Sequence, residues 1–103
     1  MVTDVNRVRR QVGCSDMVQN DIATDNVAVA ILDTGIGMHP DFGSRVVAFA
    51  DFVGGRQGSY DDSGHGTHVA GCMCGSGRLS DGKYRGIAPM SRLIVGKVLD
   101  YKG

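Results

Sequence analysis

Val27-Ala28-Val29-Ala30-Ile31-Leu32, followed by Asp33-Thr34-Gly35, is the stretch on which the reading of this chain turns. Six apolar residues in a row, β-branched at 27, 29 and 31, leave no polar side, the pattern of a strand buried on both faces of a parallel sheet. Asp33-Thr34-Gly35 ends it. Working outward, Arg45 to Phe52 (RVVAFADF) reads as a second strand and Arg92 to Leu99 (RLIVGKVL) as a third. Gly54 to Ser59 is a loop, and Asp61-Asp62-Ser63-Gly64 leads into a helix from about His65 to Gly75. Small Ala70 and Gly71 suit that helix to close packing on a sheet. A Gly-rich polar loop, Gly75 to Gly86, precedes the third strand. Upstream, Val5, Val8, Val12 and Met17 stand at roughly helical spacing, a weak helix within Val5 to Asn20 that Gly13 interrupts. Strands alternating with helices predict an α/β fold, a short parallel sheet of about three strands flanked by helices. Residues 1–26 form a segment leading into the domain, and 27–103 the domain itself.

Composition narrows the function classes. The 103 residues, 42% of them hydrophobic, suffice for one small domain. Eleven Lys and Arg balance eleven acidic residues, all of them Asp, and the lack of Glu argues against a long charged bundle or coiled coil. Zero net charge gives no case for a nucleic-acid or anionic-membrane partner. The longest apolar run falls far short of the ~20 residues that span a bilayer, and no signal peptide is legible, so a cytoplasmic setting is expected. Three Cys, with Cys72 and Cys74 two apart, disfavour a disulfide scaffold and fit a reducing compartment. Charge is nevertheless uneven: 33–62 carries a net −3 and 76–103 a net +4, as complementary surfaces would.

The candidate chemistry lies in two places. In open α/β sheets functional groups gather beyond the carboxyl ends of the strands, where Asp33 sits. An Asp there also serves as a simple turn cap. His65-Gly66-Thr67-His68-Val69-Ala70-Gly71 places two His on one helical face, with His65 in the first turn. A carboxylate that accepts from one ring nitrogen fixes the tautomer and leaves the other nitrogen free as a general base. Gly64 and Gly66 are expected to keep the His65 ring uncrowded.

Four blocks in order resemble the subtilisin-like serine proteases, the subtilase family: V-A-V-A-I-L-D-T-G-I (27–36), H-P-D-F (39–42), D-D-S-G-H-G-T-H-V-A-G (61–71) and Y-R-G-I-A-P-M-S-R-L-I-V-G-K-V-L-D (84–100). They resemble the amino-terminal part of that catalytic domain. The resemblance implies a subtilisin-like three-layer fold and peptide-bond hydrolysis through an Asp-His-Ser triad. It makes Asp33 the triad aspartate and His65 the triad histidine. His68 becomes a packing residue behind the site, Leu99 a wall of the substrate subsites, and Asp61 an acidic position shaping the region near His65. Asp41 stands where some members have a calcium ligand, but the loop that would supply further ligands reads G-S-G-R-L-S-D-G-K-Y-R (75–85) and does not match. No metal and no cofactor are therefore expected, and Asp41 is read as a bare loop carboxylate. The family's G-T-S-M-A nucleophile segment is absent; Ser63, Ser76 and Ser91 lack its context. The chain is thus read as truncated before the nucleophile and inactive alone, with a peptide or protein as substrate of the complete enzyme.

Two other readings compete. I-L-D-T-G (31–35) and L-I-V-G-K (93–97) mimic a retroviral-type aspartic protease half-site, in which Asp33 of two copies would share a proton. That fold is nearly all β and has no use for H-G-T-H-V-A-G. Alternatively, His65, His68 and Cys72 share a helical face suited to zinc, although Cys74 points about 200° away from Cys72. In the family the first strand also pairs with a fourth, so this chain is expected to expose an apolar edge at Val27 to Leu32 and to self-associate through it.

Overall fold

The computed structural model describes residues 5–13 and 27–103. Three strands, β1 (Ala28–Asp33), β2 (Val46–Asp51) and β3 (Arg92–Lys97), form one parallel sheet in the order β1-β3-β2. Two α-helices, α1 (Val5–Gln11) and α2 (His65–Cys74), and a short 3₁₀ turn at Arg78–Ser80 complete the described structure. The expected α/β class is what the chain adopts.

The most buried strand is β3, not β1. Leu93, Val95 and Lys97 are sealed in the middle of the sheet, whereas Ala28, Ala30 and Leu32 of β1 are exposed. An apolar run says that a strand can be covered on both faces; it carries no information on lateral position. Strand register sorts the side chains. Val29, Ile31 and Asp33 share one face with Leu93, Val95 and Lys97 and with Val46, Phe49 and Asp51. We call this the inner face, because α2 lies on its β1 side. Its core is Ile31, Ile36, Phe42, Ala70, Cys74, Leu93 and Val95. A register shift between Val46 and Ala48 turns Val47 out of that packing.

Helix α2 is anchored at both ends. Its last four carbonyls, the orphans of any helix end, each find a donor: Gly71 from the Gly75 N–H at 2.9 Å, Cys72 from Ile87 at 3.1 Å, Met73 from Ala88 at 2.6 Å and Cys74 from Arg45 Nη2 at 2.5 Å. The Gly-rich loop after α2 therefore folds back along the helix.

Helix α1 is not held by its valines. Val8 and Val12 are exposed, and the anchor is Arg9, which is buried and donates to the carbonyls of Gly86 (2.5 Å) and Ile87 (3.1 Å). Spacing of the valines located the helix but not the residue that fixes it. Met17 and the rest of the weak helical pattern lie outside the described residues.

Candidate active site

At the carboxyl ends of the strands, Asp33, Lys97 and Asp51 stand in register across the inner face. Helix α2 begins beside them. Its N-terminus is built by Asp61, whose Oδ1 accepts from the N–H groups of Ser63 (3.1 Å) and Gly64 (2.9 Å) and from the Thr34 hydroxyl (2.8 Å). Asp61 Oδ2 accepts from the Thr67 N–H (2.8 Å) and hydroxyl (2.5 Å). A carboxylate here satisfies orphan N–H groups and complements the helix dipole. Burial acts against its charge, but the donors of Thr67, Gly64 and Thr34 outweigh it and hold the Asp61 carboxyl far below the usual range.

The helix start is pressed against the turn after β1. The Thr34 hydroxyl, while donating to Asp61, accepts the Gly66 N–H at 2.8 Å. A Cβ on Gly66 would lie 2.3 Å from the Gly35 carbonyl oxygen. Gly66 is thus also a point of backbone contact between α2 and the turn. Gly35 itself has φ +120°, and a Cβ there would strike the Tyr60 carbonyl oxygen at 2.0 Å.

This docking brings together residues 32 apart in sequence: His65 Nδ1 lies 2.8 Å from Asp33 Oδ1. Asp33 is 9% exposed, and its Oδ1 also accepts the Thr34 N–H at 2.7 Å. Burial alone would raise the Asp33 pKa; the hydrogen bonds from His65 and Thr34 outweigh it, so the carboxyl sits below its ordinary value. An ionised carboxylate only accepts, so His65 Nδ1 carries the proton and Nε2 presents a lone pair. The His65 side chain is 66% exposed, which leaves that nitrogen open to a reacting group. Leu99 lies beside the pair, its N–H 3.2 Å from the Asp33 carbonyl oxygen, which also accepts the Val98 N–H at 2.9 Å.

Other expected roles change. His68 does not pack behind the site; it is exposed and lines a groove of about 440 Å³ with Val5, Val8, Cys72, Tyr84 and Ile87. Helical spacing did not reveal that α1 stands off on that side. The zinc reading loses its ligand set, because His65 is turned to Asp33 and Cys74 is in the core. Among the described residues no group of three His, Cys, Asp or Glu could hold a metal.

The Asp41 carboxylate is held by the loop after α2. Its Oδ1 accepts the Arg78 N–H (3.1 Å), while its backbone carbonyl accepts from Ser76 (3.1 Å) and Arg45 Nη2 (2.5 Å). Calcium takes six to eight oxygen ligands. Here the loop after α2 turns the N–H groups of Ser76 and Arg78 toward Asp41, and the Arg45 side chain donates to its carbonyl, a set of donors rather than of oxygen ligands.

Two residues of the site were not singled out from sequence. Thr34 joins the turn, Asp61 and α2. Lys97 Nζ contacts the carbonyls of Thr34 (2.7 Å) and Leu99 (3.0 Å) and Asp62 Oδ1 (2.8 Å). The signal for Lys97 was a cation inside the apolar run Leu93 to Leu99, which is costly unless partnered.

Comparison with known proteins places the fold in a family. The model of the subtilase family matches residues 24–103. The chain is 52% identical over 77 residues to serine protease AprX of Bacillus subtilis (strain 168), covering 75% of this chain and 17% of that protein. It is 34% identical over 106 aligned positions to the major intracellular serine protease of the same organism, covering 95% of this chain and 33% of the relative. Among solved structures, a cold-adapted subtilisin-like serine proteinase superposes with a TM-score of 0.65 at 35% identity, covering 79% of this chain and 28% of that one. The Clostridium perfringens CspB protease superposes at 0.69 with 28% identity, over 85% and 24%. The chain therefore spans a third or less of the length of each of these relatives. With the parallel sheet, the Asp33–His65 contact at its carboxyl edge and the family match over 24–103, this chain belongs to the subtilase family.

Proposed function

We propose that the chain supplies the Asp and His of a serine endopeptidase whose nucleophilic Ser lies outside these residues. The observation that carries this reading is the 2.8 Å contact between His65 Nδ1 and Asp33 Oδ1, with the rest of the ring exposed. In the complete enzyme His65 Nε2 takes the Ser hydroxyl proton as the oxygen attacks a peptide carbonyl, then delivers it to the leaving amine. Asp33 holds the tautomer and stabilises the imidazolium. Leu99 borders the site and contacts the peptide or protein substrate. No serine of the chain is offered as the nucleophile: Ser91 is fully buried, and Ser63 lies in the turn capped by Asp61.

The test is hydrolysis of a general peptide substrate by the 103 residues alone and by the complete catalytic domain. The chain alone shows only background. The complete domain cleaves, is blocked by a serine-directed fluorophosphonate, and loses on the order of 10⁶ in kcat on His65→Ala. Cleavage by the chain alone, or full activity of His65→Ala, overturns the reading; inhibition of the lone chain by a pepstatin-type inhibitor would restore the aspartic alternative. We also propose that the isolated chain self-associates through β1, whose outer side chains and edge lack cover among the described residues.

A further inference from the structure

Lys97 is a cation with no exposed surface, in the central strand beneath the proposed catalytic pair. An ammonium has three N–H donors, and this one has three acceptors within 3.0 Å: the Thr34 carbonyl, the Leu99 carbonyl and Asp62 Oδ1. The Tyr60 ring, 5.0 Å from Nζ, lies close by as well. Asp33 and Asp51 flank Lys97 in register, Asp61 lies across Thr34, and Arg56 stacks on the same Tyr60 ring. A cation sealed from water is costly unless it is fully partnered, so packing alone does not account for a Lys here.

Its three acceptors belong to three different pieces of the site. Thr34 follows Asp33, Asp62 precedes His65 by three residues, and Leu99 borders the pair. We propose that Lys97 is a positioning residue: its ammonium clamps the turn after Asp33, the loop before His65 and the strand end that carries Leu99 to one point. The clamp fixes the separation of Asp33 and His65. This inference rests on the triad reading above.

The test uses the complete protease and a double-variant cycle with Asp33→Asn. Lys97→Met lowers kcat about 10- to 100-fold, with KM changed less than about threefold, since small misplacements of a reacting group carry costs of that order. In the Asp33→Asn background the same substitution lowers kcat less than about threefold, because the contact it positions is already lost. Asp62→Asn alone stays within about threefold, since the amide Oδ1 still accepts from the ammonium and the loop before His65 stays clamped. An equal factor for Lys97→Met in the two backgrounds, or no loss in either, overturns the proposal. So does a loss on Asp62→Asn as large as that of Lys97→Met, which would assign the effect to the ion pair. If Lys97→Met does not fold, Lys97→Arg replaces it, because the broader guanidinium cannot take the same three acceptors; the same background dependence is expected and the same outcomes refute it. An unchanged kcat for Asp33→Asn would instead overturn the triad reading.

Discussion

The two faces of the sheet differ in how far their contacts are complete. On the inner face every charged group at the carboxyl edge has its partners: Asp33 holds His65, Lys97 holds two carbonyls and Asp62, and Asp51 accepts from Tyr60 and from the N–H groups of Val53, Gly54 and Arg56. On the outer face Ala28, Ala30, Ala48, Ala50 and Ile94 are exposed, with Leu32 70% and Phe52 74% exposed on either side of Gly96. Contiguous apolar surface of this kind marks a place that another surface covers. The site and the core that α2 covers share the inner face, whereas the outer face has no cover among the described residues.

Three experiments strain that contrast, beginning with the largest effect. Gly66→Ala and Gly71→Ala are the same change in the same helix, each favoured by about 1 kcal/mol of intrinsic propensity. At Gly66 the new Cβ meets the Gly35 carbonyl at 2.3 Å, and backbone cannot easily retreat. A loss of about 3 kcal/mol is expected in urea unfolding. At Gly71 no atom outside the helix's own backbone lies within 4 Å, so a gain of up to about 1 kcal/mol is expected. A stabilised Gly66→Ala would mean that α2 does not bear on the turn at 34–35.

The second experiment is acid unfolding. The folded pKa values of Asp33 and Asp61 lie below their ordinary values, so both stabilise the fold above the unfolded carboxylate pKa of about 4. That contribution is lost as pH falls from there through the folded values. The thermal midpoint should drop below about pH 4, and Asp61→Asn should flatten the drop while lowering the midpoint at neutral pH. An unchanged acid limb in Asp61→Asn would contradict the donor set found around it.

The smallest effect on stability is expected on the outer face. Leu32→Ser and Phe52→Ser remove exposed side chains and should change the unfolding free energy of the isolated chain by no more than about 0.5 kcal/mol. They should shift light scattering toward smaller species if the open face and β1 edge drive self-association. A stable wild-type monomer at high concentration would refute that association.

Much of this was legible beforehand, for physical reasons that can be named. β1, β2 and β3 announced themselves by apolar runs, and the family resemblance singled out Asp33, His65, Asp61 and Leu99, which the fold gathers at one edge. What could not be read was anything set by a neighbour in space. Arg9 anchors α1 through carbonyls 77 and 78 residues away. Asp41 is taken up by the loop at 76–78. The surroundings of His68 depend on where α1 docks, and the absent Cβ of Gly66 has meaning only once α2 lies on the turn at 34–35. Periodicity reports which residues share a face, and these four depend on what that face meets.

The strand order has one more consequence, for how such a chain emerges from the ribosome. β1 and β2 make no ladder with each other; both pair only with β3, whose first residue comes roughly 40 positions after the end of β2. At about 5–20 residues per second, β2 waits some 2–8 s and β1 some 3–12 s for the partner between them to be synthesised. Until then the nascent polypeptide has strands but no sheet, and Asp33 has no frame to hold it beneath His65. Sequestering those waiting strands, by a chaperone or by an upstream part of the same polypeptide, would act on yield without touching any residue of the finished site.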